Sequence, residues 1–421
     1  MHIKNNFYCN RIGKKLTKSE NIFYYTILVM LFQITRNIST IGYVAILFTL
    51  YFALYITYFI ENKDKIYYKL RIIPILFIFS LFWIPVISLN NIGMDEFVIA
   101  FPRFMITFPF ILICFLYKLY NKRFIIKVLK LYCNFMTLAS LSIPYQIVFG
   151  EIFFFSKSSF RAGVERYASL AGNLTALGSF GAISLIFLLF SGNELYSKKK
   201  KVILIIITTL SMLMTLQKSA LVNIIICYIL YFLFNSNTKF YKKLSISIGM
   251  TFIMFIVYYL IKDTILGIYI NNIFSYSFTD SSIGIKQDLI SRFWNLPSRV
   301  VEFNNMKIID LILGIGFSAL AGTMGLPSYP MAHNNYFDLI FSGGIIHFVT
   351  YLILLLSIPY GMFVKRIKGL KITNIDLMYS MAIFVVLINM LIGAVSFYQP
   401  VFSVVAFFMI CSYNKIKYQN I

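Results

Sequence analysis

Long apolar runs, bounded at alternate ends by lysine and arginine, fill most of this chain and constrain its fold more than any motif does. Inside a lipid bilayer a backbone N–H or C=O finds no water. A segment that crosses must satisfy its own peptide groups, and a helix does this within one segment. The chain is 59% hydrophobic and 13% charged over 421 residues, and its apolar residues come in runs rather than in the alternation of a half-buried strand. The expected fold is therefore all-α: a polytopic integral membrane protein of about twelve transmembrane helices, with one long external loop containing short helices. The candidate spans are 22–35, 38–60, 72–89, 104–116, 131–150, 168–191, 202–216, 220–234, 244–261, 335–364, 377–397 and 401–413. Several are shorter than the roughly 20 residues of a perpendicular span, which requires their ends to extend into flanking polar residues.

With the N-terminus on the cytoplasmic side, 27 of the 38 Lys and Arg fall in cytoplasmic segments and eleven remain outside. Ten of the fifteen carboxylates fall on the other side or at its helix mouths. This asymmetry follows the positive-inside rule and predicts both termini in the cytoplasm. It also accounts for the net charge of +23 without nucleic acid, because the cations are split between spans rather than gathered on one basic face. The five cysteines, Cys9, Cys114, Cys133, Cys227 and Cys411, have no paired spacing, so neither a disulfide framework nor a metal cluster is expected. Residues 1–20 are polar and basic, which argues against a cleavable signal sequence.

The chain divides into nine helices over residues 1–261, an external segment over 262–334 with amphipathic helices of its own, and three helices over 335–421. In the external segment Ser281-Ser282 is expected to cap a helix running to about Asn305, with Ile285, Leu289, Phe293, Leu296 and Val300 on one stripe. Residues 306–317 are apolar enough to pack back on the membrane surface. A connection of this length with elements of its own fits a lid or a substrate platform.

The richest chemistry stands where that segment meets the next span: Gly314-Ile315-Gly316-Phe317, then His333-Asn334-Asn335-Tyr336, then Gly343-Gly344. Imidazole titrates near neutrality, so His333 at a water–lipid boundary is the candidate proton acceptor, with Asn334 and Tyr336 as candidate substrate contacts. The plainer alternative is a histidine that only hydrogen-bonds a loop. Three external cations are candidates for an anionic substrate. Lys218 lies in the tight turn Gln217-Lys218-Ser219, Arg166 stands just before the span that opens Tyr167-Ala168-Ser169-Leu170-Ala171-Gly172-Asn173, and Arg292 lies beside Phe293-Trp294. Arginine grips pyrophosphate through paired charge-assisted hydrogen bonds. Pairing with external carboxylates is the alternative for the arginines, and snorkelling the alternative for Lys218. His347 falls within a span and is expected to be packed or water-linked.

Taken in order, Arg166 to Asn173, Lys218-Ser219, Ser291-Arg292, Leu313 to Phe317, His333 to Tyr336 and Gly343-Gly344 resemble the O-antigen polymerase and O-antigen ligase superfamily of bacterial envelope polysaccharide assembly. The resemblance spans residues 161–359. It implies a metal-independent, inverting glycosyltransferase that needs no cofactor and uses a lipid-linked donor in the bacterial cytoplasmic membrane. It also implies His333 as base on the acceptor hydroxyl, and Arg166 and Arg292 on the pyrophosphate of an undecaprenyl-pyrophosphate-linked glycan. Where the family commonly has Ser-Arg, this chain has Lys218-Ser219, which offers a point charge instead of a fork. The implied partners are the glycan donor and acceptor, the bilayer, a chain-length regulator and a flippase. Nucleic acid is not among them.

A polymerase joining repeat units of an O-antigen or a capsular polysaccharide is the preferred reading. A ligase moving a finished glycan to a lipid A core or a protein shares the same residues. A flippase or other transporter is the reading from another class. It predicts repeat symmetry between the two halves and charges near mid-bilayer, whereas here the charges gather at helix mouths and no internal repeat is visible.

Overall fold

The computed structural model describes residues 16–32, 39–61, 72–116, 121–155, 158–161, 164–172, 174, 176–215, 217–234, 259, 262–263, 306–317, 334–391 and 399–419. The helices of five residues or more among them are α1 (Lys18–Leu31), α2 (Thr40–Glu61), α3 (Ile72–Asn91), α4 (Met94–Leu116), α5 (Lys122–Phe149) and α6 (Ala176–Phe190). They continue with α7 (Lys198–Met214), α8 (Lys218–Phe234), α9 (Ile308–Leu313), α10 (Asn335–Ile367), α11 (Asn374–Leu391) and α12 (Pro400–Gln419). One antiparallel hairpin interrupts them, β1 (Ser159–Arg161) against β2 (Val164–Arg166), with Ser159 opposite Arg166.

Six helices, α2 to α5 with α10 and α11, are long and apolar enough to cross a membrane, and α6 and the apolar parts of α8 and α12 are shorter. Burial sorts them into two layers. All of α6 is buried, and α11 and the apolar part of α12 are largely enclosed with it. Around them α2, α3 and α10 turn Ile46, Phe52, Phe59, Phe79, Phe82 and Leu356 outward. An apolar exterior around an apolar interior suits a lipid solvent and no other, so the chain is a multi-pass membrane protein.

Among the described residues, the basic stretches at Lys18, 122–130, 198–201 and 365–371 share one end of the bundle. There Glu61 accepts from the backbone N–H of Ser19 at 3.3 Å, and Asn121 donates to Glu20 at 3.2 Å. Tyr196 donates to the Lys130 carbonyl at 3.0 Å, and the buried pair Lys365–Asp376 closes at 2.7 Å between α10 and α11. Four cysteines, at 114, 133, 227 and 411, are free and buried.

Eleven of the twelve apolar runs contain helix among the described residues; the run at 244–261, apart from Tyr259, and the helix expected from Ser281 to Asn305 lie outside them. The fourth span begins at Met94 rather than 104, so most of the loop expected over 90–103 is helix. Asp95 and Glu96 in its first turn complement the positive end of the helix dipole. Pro102 and Pro109 stay inside it, a tolerance that membrane helices show because neighbouring groups satisfy the freed carbonyls. The fifth span begins at Lys122, capped by the Asn121 side chain.

The sixth apolar run becomes helical at Ala176, ten residues past Arg166, instead of at 168. Ser169 explains part of that delay. Its hydroxyl accepts from Ala171 N–H at 3.2 Å and its carbonyl from Gly172 N–H at 3.1 Å, which holds a turn against the helix.

Candidate functional site

The end of the bundle away from the basic segments is built on backbone contact between two glycine motifs. The residues before Gly314 form α9, with Ile308 and Ile309 exposed, and Gly314 and Gly316 then take positive φ values of 85° and 75°. In α10 the helix is interrupted at Gly344, with φ 75° and ψ −178°. A Cβ on Gly314 would lie 2.4 Å from the Ser342 carbonyl oxygen, and one on Gly344 would lie 1.9 Å from that of Ile312. Only glycine allows either approach. Ile315 N–H donates to the Phe341 carbonyl at 2.5 Å, which ties the segment to the first turns of α10.

Helix α3 holds the other side. Ser88 accepts from Phe317 N–H at 2.8 Å, and Asn91 donates to the Ile315 carbonyl at 3.2 Å. Phe317 is buried between Phe97 and Phe104 at ring separations of 5.9 and 5.5 Å. Residues 306–317 therefore dock into the bundle by main-chain contact, where the sequence predicted a segment lying on the membrane surface. Below the break, His347 meets Ser80 of α3 at 2.8 Å and stacks on Phe77 at 5.1 Å, so it is packed, as expected.

From the same end a line of carboxamides and carbonyls runs across the bundle. Asn334 caps α10, its side chain accepting from Tyr336 N–H at 3.0 Å. Tyr336 donates to the Leu387 carbonyl of α11 at 2.9 Å. Two residues on, Asn389 and Asn223 of α8 exchange hydrogen bonds at 2.8 and 3.0 Å, and both are fully buried. Asn223 also donates to the Gly178 carbonyl of α6 at 3.0 Å. The Gln217 side chain lies against that same glycine, in the turn between α7 and α8. The chain matches no protein-family model and no curated protein.

The β1–β2 hairpin joins this end through α5. Gln146 donates to the Ala168 carbonyl at 2.8 Å and accepts from Ile152 N–H at 3.3 Å, while Ser142 accepts from Leu170 N–H at 3.3 Å. Glu165 accepts from Ser158 at 2.5 Å and from Tyr167 at 2.7 Å. These bonds favour the carboxylate and hold the Glu165 pKa below the usual value, Ser158 contributing most. Burial, then the bond to Glu165, pushes the Tyr167 hydroxyl up to about 12, so Tyr167 stays a neutral donor at physiological pH.

The predicted site residues divide by what surrounds them. Asn334 and Tyr336 both serve the architecture, one as a cap and the other as a tie to α11. Arg166 ends β2 and is half-buried, in a hairpin rather than at a helix start. Lys218 is the first residue of α8. His333 and Arg292 lie outside the described residues. Among the described residues no group of three or more His, Cys, Asp or Glu is arranged to hold a metal ion.

Sequence reasoning missed Gln217, because the neighbouring charge of Lys218 drew attention first. Its signal was available: a carboxamide between two apolar runs must be buried or bonded.

Proposed function

We propose that this protein polymerises undecaprenyl-pyrophosphate-linked oligosaccharide repeat units into an O-antigen or capsular polysaccharide, on the outer face of the bacterial cytoplasmic membrane. His333 takes the proton of the acceptor hydroxyl as that oxygen attacks the anomeric carbon of the donor. The bond from that carbon to the pyrophosphate breaks, the anomeric configuration inverts, and undecaprenyl pyrophosphate leaves against Arg166, Arg292 and Lys218. A glycosyl pyrophosphate is already activated, so a base, counter-charges and positioning suffice without a metal or a cofactor.

One observation carries this reading. The end of the bundle opposite its basic segments joins the residues that follow His333 to the turn before Lys218 through Tyr336, Leu387, Asn389, Asn223 and Gly178. Buried polar side chains along a transmembrane core are costly and are retained where they position something. The glycine lock at 314–316 and 342–344 lends support, since it fixes both ends of the stretch that contains His333.

Deletion of the gene tests the reading through the carrier lipids that accumulate. Single repeat units on the outer face are expected. Long unattached chains would instead indicate a ligase, and single units facing the cytoplasm a flippase.

A further inference from the structure

Gln217 differs from the other buried carboxamides at this end of the bundle. Gln146, Asn223, Asn334 and Asn389 all have hydrogen-bond partners. The Gln217 side chain is buried, the residue being 6% exposed, yet neither its Oε1 nor its Nε2 has a partner among the described residues. Space has been made for it: a Cβ on Gly178 would sit 2.6 Å from Oε1. The side chain does not cap α8, since Oε1 accepts from no N–H among the described residues, while the main-chain carbonyl of Gln217 accepts from Ala220 N–H at 3.1 Å and from Leu221 N–H at 3.2 Å. A carboxamide kept dry, unpaired and without a capping role destabilises the fold unless something pairs with it.

We propose that Gln217 is a specificity-determining residue that reads sugar hydroxyls of the lipid-linked glycan. This inference rests on the function proposed above. The chemistry of the free groups selects the ligand class. Nε2 donates and Oε1 accepts, so a phosphate, which only accepts, satisfies one and opposes the other. Two neighbouring hydroxyls satisfy both, one accepting from Nε2 and the other donating to Oε1. The position fits a division of labour in the turn, with Lys218 beside it as the point charge for phosphate and Gln217 for the sugar. A site built to pair with hydroxyls rejects a ligand that lacks them far more sharply than an apolar pocket does.

The test is Gln217→Leu in the full-length protein, compared with His333→Ala in the same cells, and both proteins purified in detergent. Leu removes an amide that has no hydrogen-bond partner among the described residues, so Gln217→Leu should reach wild-type abundance and unfold at the wild-type temperature or above. Polymer in its cells should nevertheless fall by about tenfold or more, the value of one lost hydrogen bond to substrate. Lipid-linked glycan extracted from the His333→Ala cells should raise the unfolding temperature of the wild-type protein and leave that of Gln217→Leu unmoved.

Wild-type polymer in Gln217→Leu beside lost polymer in His333→Ala would overturn the role of Gln217 alone. Poor accumulation or earlier unfolding of Gln217→Leu would overturn it too, since the amide would then have been structural. Wild-type polymer in both variants would overturn the proposed function, and this inference with it.

Discussion

His333→Ala is expected to leave single repeat units on the lipid carrier and to lower polymer formation by about 100- to 10,000-fold, the usual contribution of a positioned general base. The donor brings its own leaving group, and the cations meet the charge that develops on it. What remains is the proton of the attacking hydroxyl, whose pKa lies far above neutrality, and imidazole is the side chain able to take it and release it again near pH 7. The variant should be inserted and folded normally. The cap of α10 belongs to Asn334, whose bond to Tyr336 N–H does not involve the 333 side chain. Separating the carrier-linked glycans by length, with immunoblotting for abundance, checks both halves of the expectation. Wild-type chain lengths would remove His333 from the chemistry.

The largest effect on stability is expected at the opposite end. Asp376 is 1% exposed and accepts three hydrogen bonds, from the Lys365 ammonium at 2.7 Å and from the N–H and hydroxyl of Thr373 at 2.8 Å each. The Lys365 bond holds the end of α10 to the start of α11, and the two Thr373 bonds fix the first turn of α11. Asp376→Leu leaves the Lys365 ammonium without its counter-charge, which costs about 3 kcal/mol, the lower part of the range for a broken buried pair. The lower part applies because the Lys365 side chain is 10% exposed and its stem can carry the charge towards water. Thermal unfolding in detergent should show Asp376→Leu well below wild type, and the double variant Asp376→Leu/Lys365→Met should recover part of the loss. A double variant no better than the single one would mean that Asp376 acts through Thr373 rather than through the ion pair.

How far the sequence reaches depends on the range of the interaction that decides each feature. The bodies of α2, α3, α10 and α11 were legible because apolar runs between polar breaks carry a local signal. Their ends were less so: the extension of α4 back to Met94 passes Pro102, and the start of α6 is delayed by the turn at Ser169, whose hydroxyl competes with the helix at short range. The β1–β2 hairpin was not foreseen, because its two strands have three residues each and follow no apolar alternation.

At the candidate site the motif Gly314 to Phe317 and the pair Gly343-Gly344 stood out one by one. Their mutual contact did not, since backbone approach between distant segments leaves no pattern in either. The reciprocal pair Asn223–Asn389 joins residues 166 positions apart and could not be read from spacing. In the sequence Asn334 reads as a candidate substrate contact. Its capping bond follows from a short polar residue before an apolar run, a signal that the sequence did contain.

Purified protein supplied only with lipid-linked repeat units extracted from cells that lack the gene tests the central claim most directly, in buffer that contains a metal chelator and no nucleotide sugar. The account predicts a ladder of longer lipid-linked glycans with release of undecaprenyl pyrophosphate. Repeat units recovered unchanged, while the same protein remains folded, would contradict it.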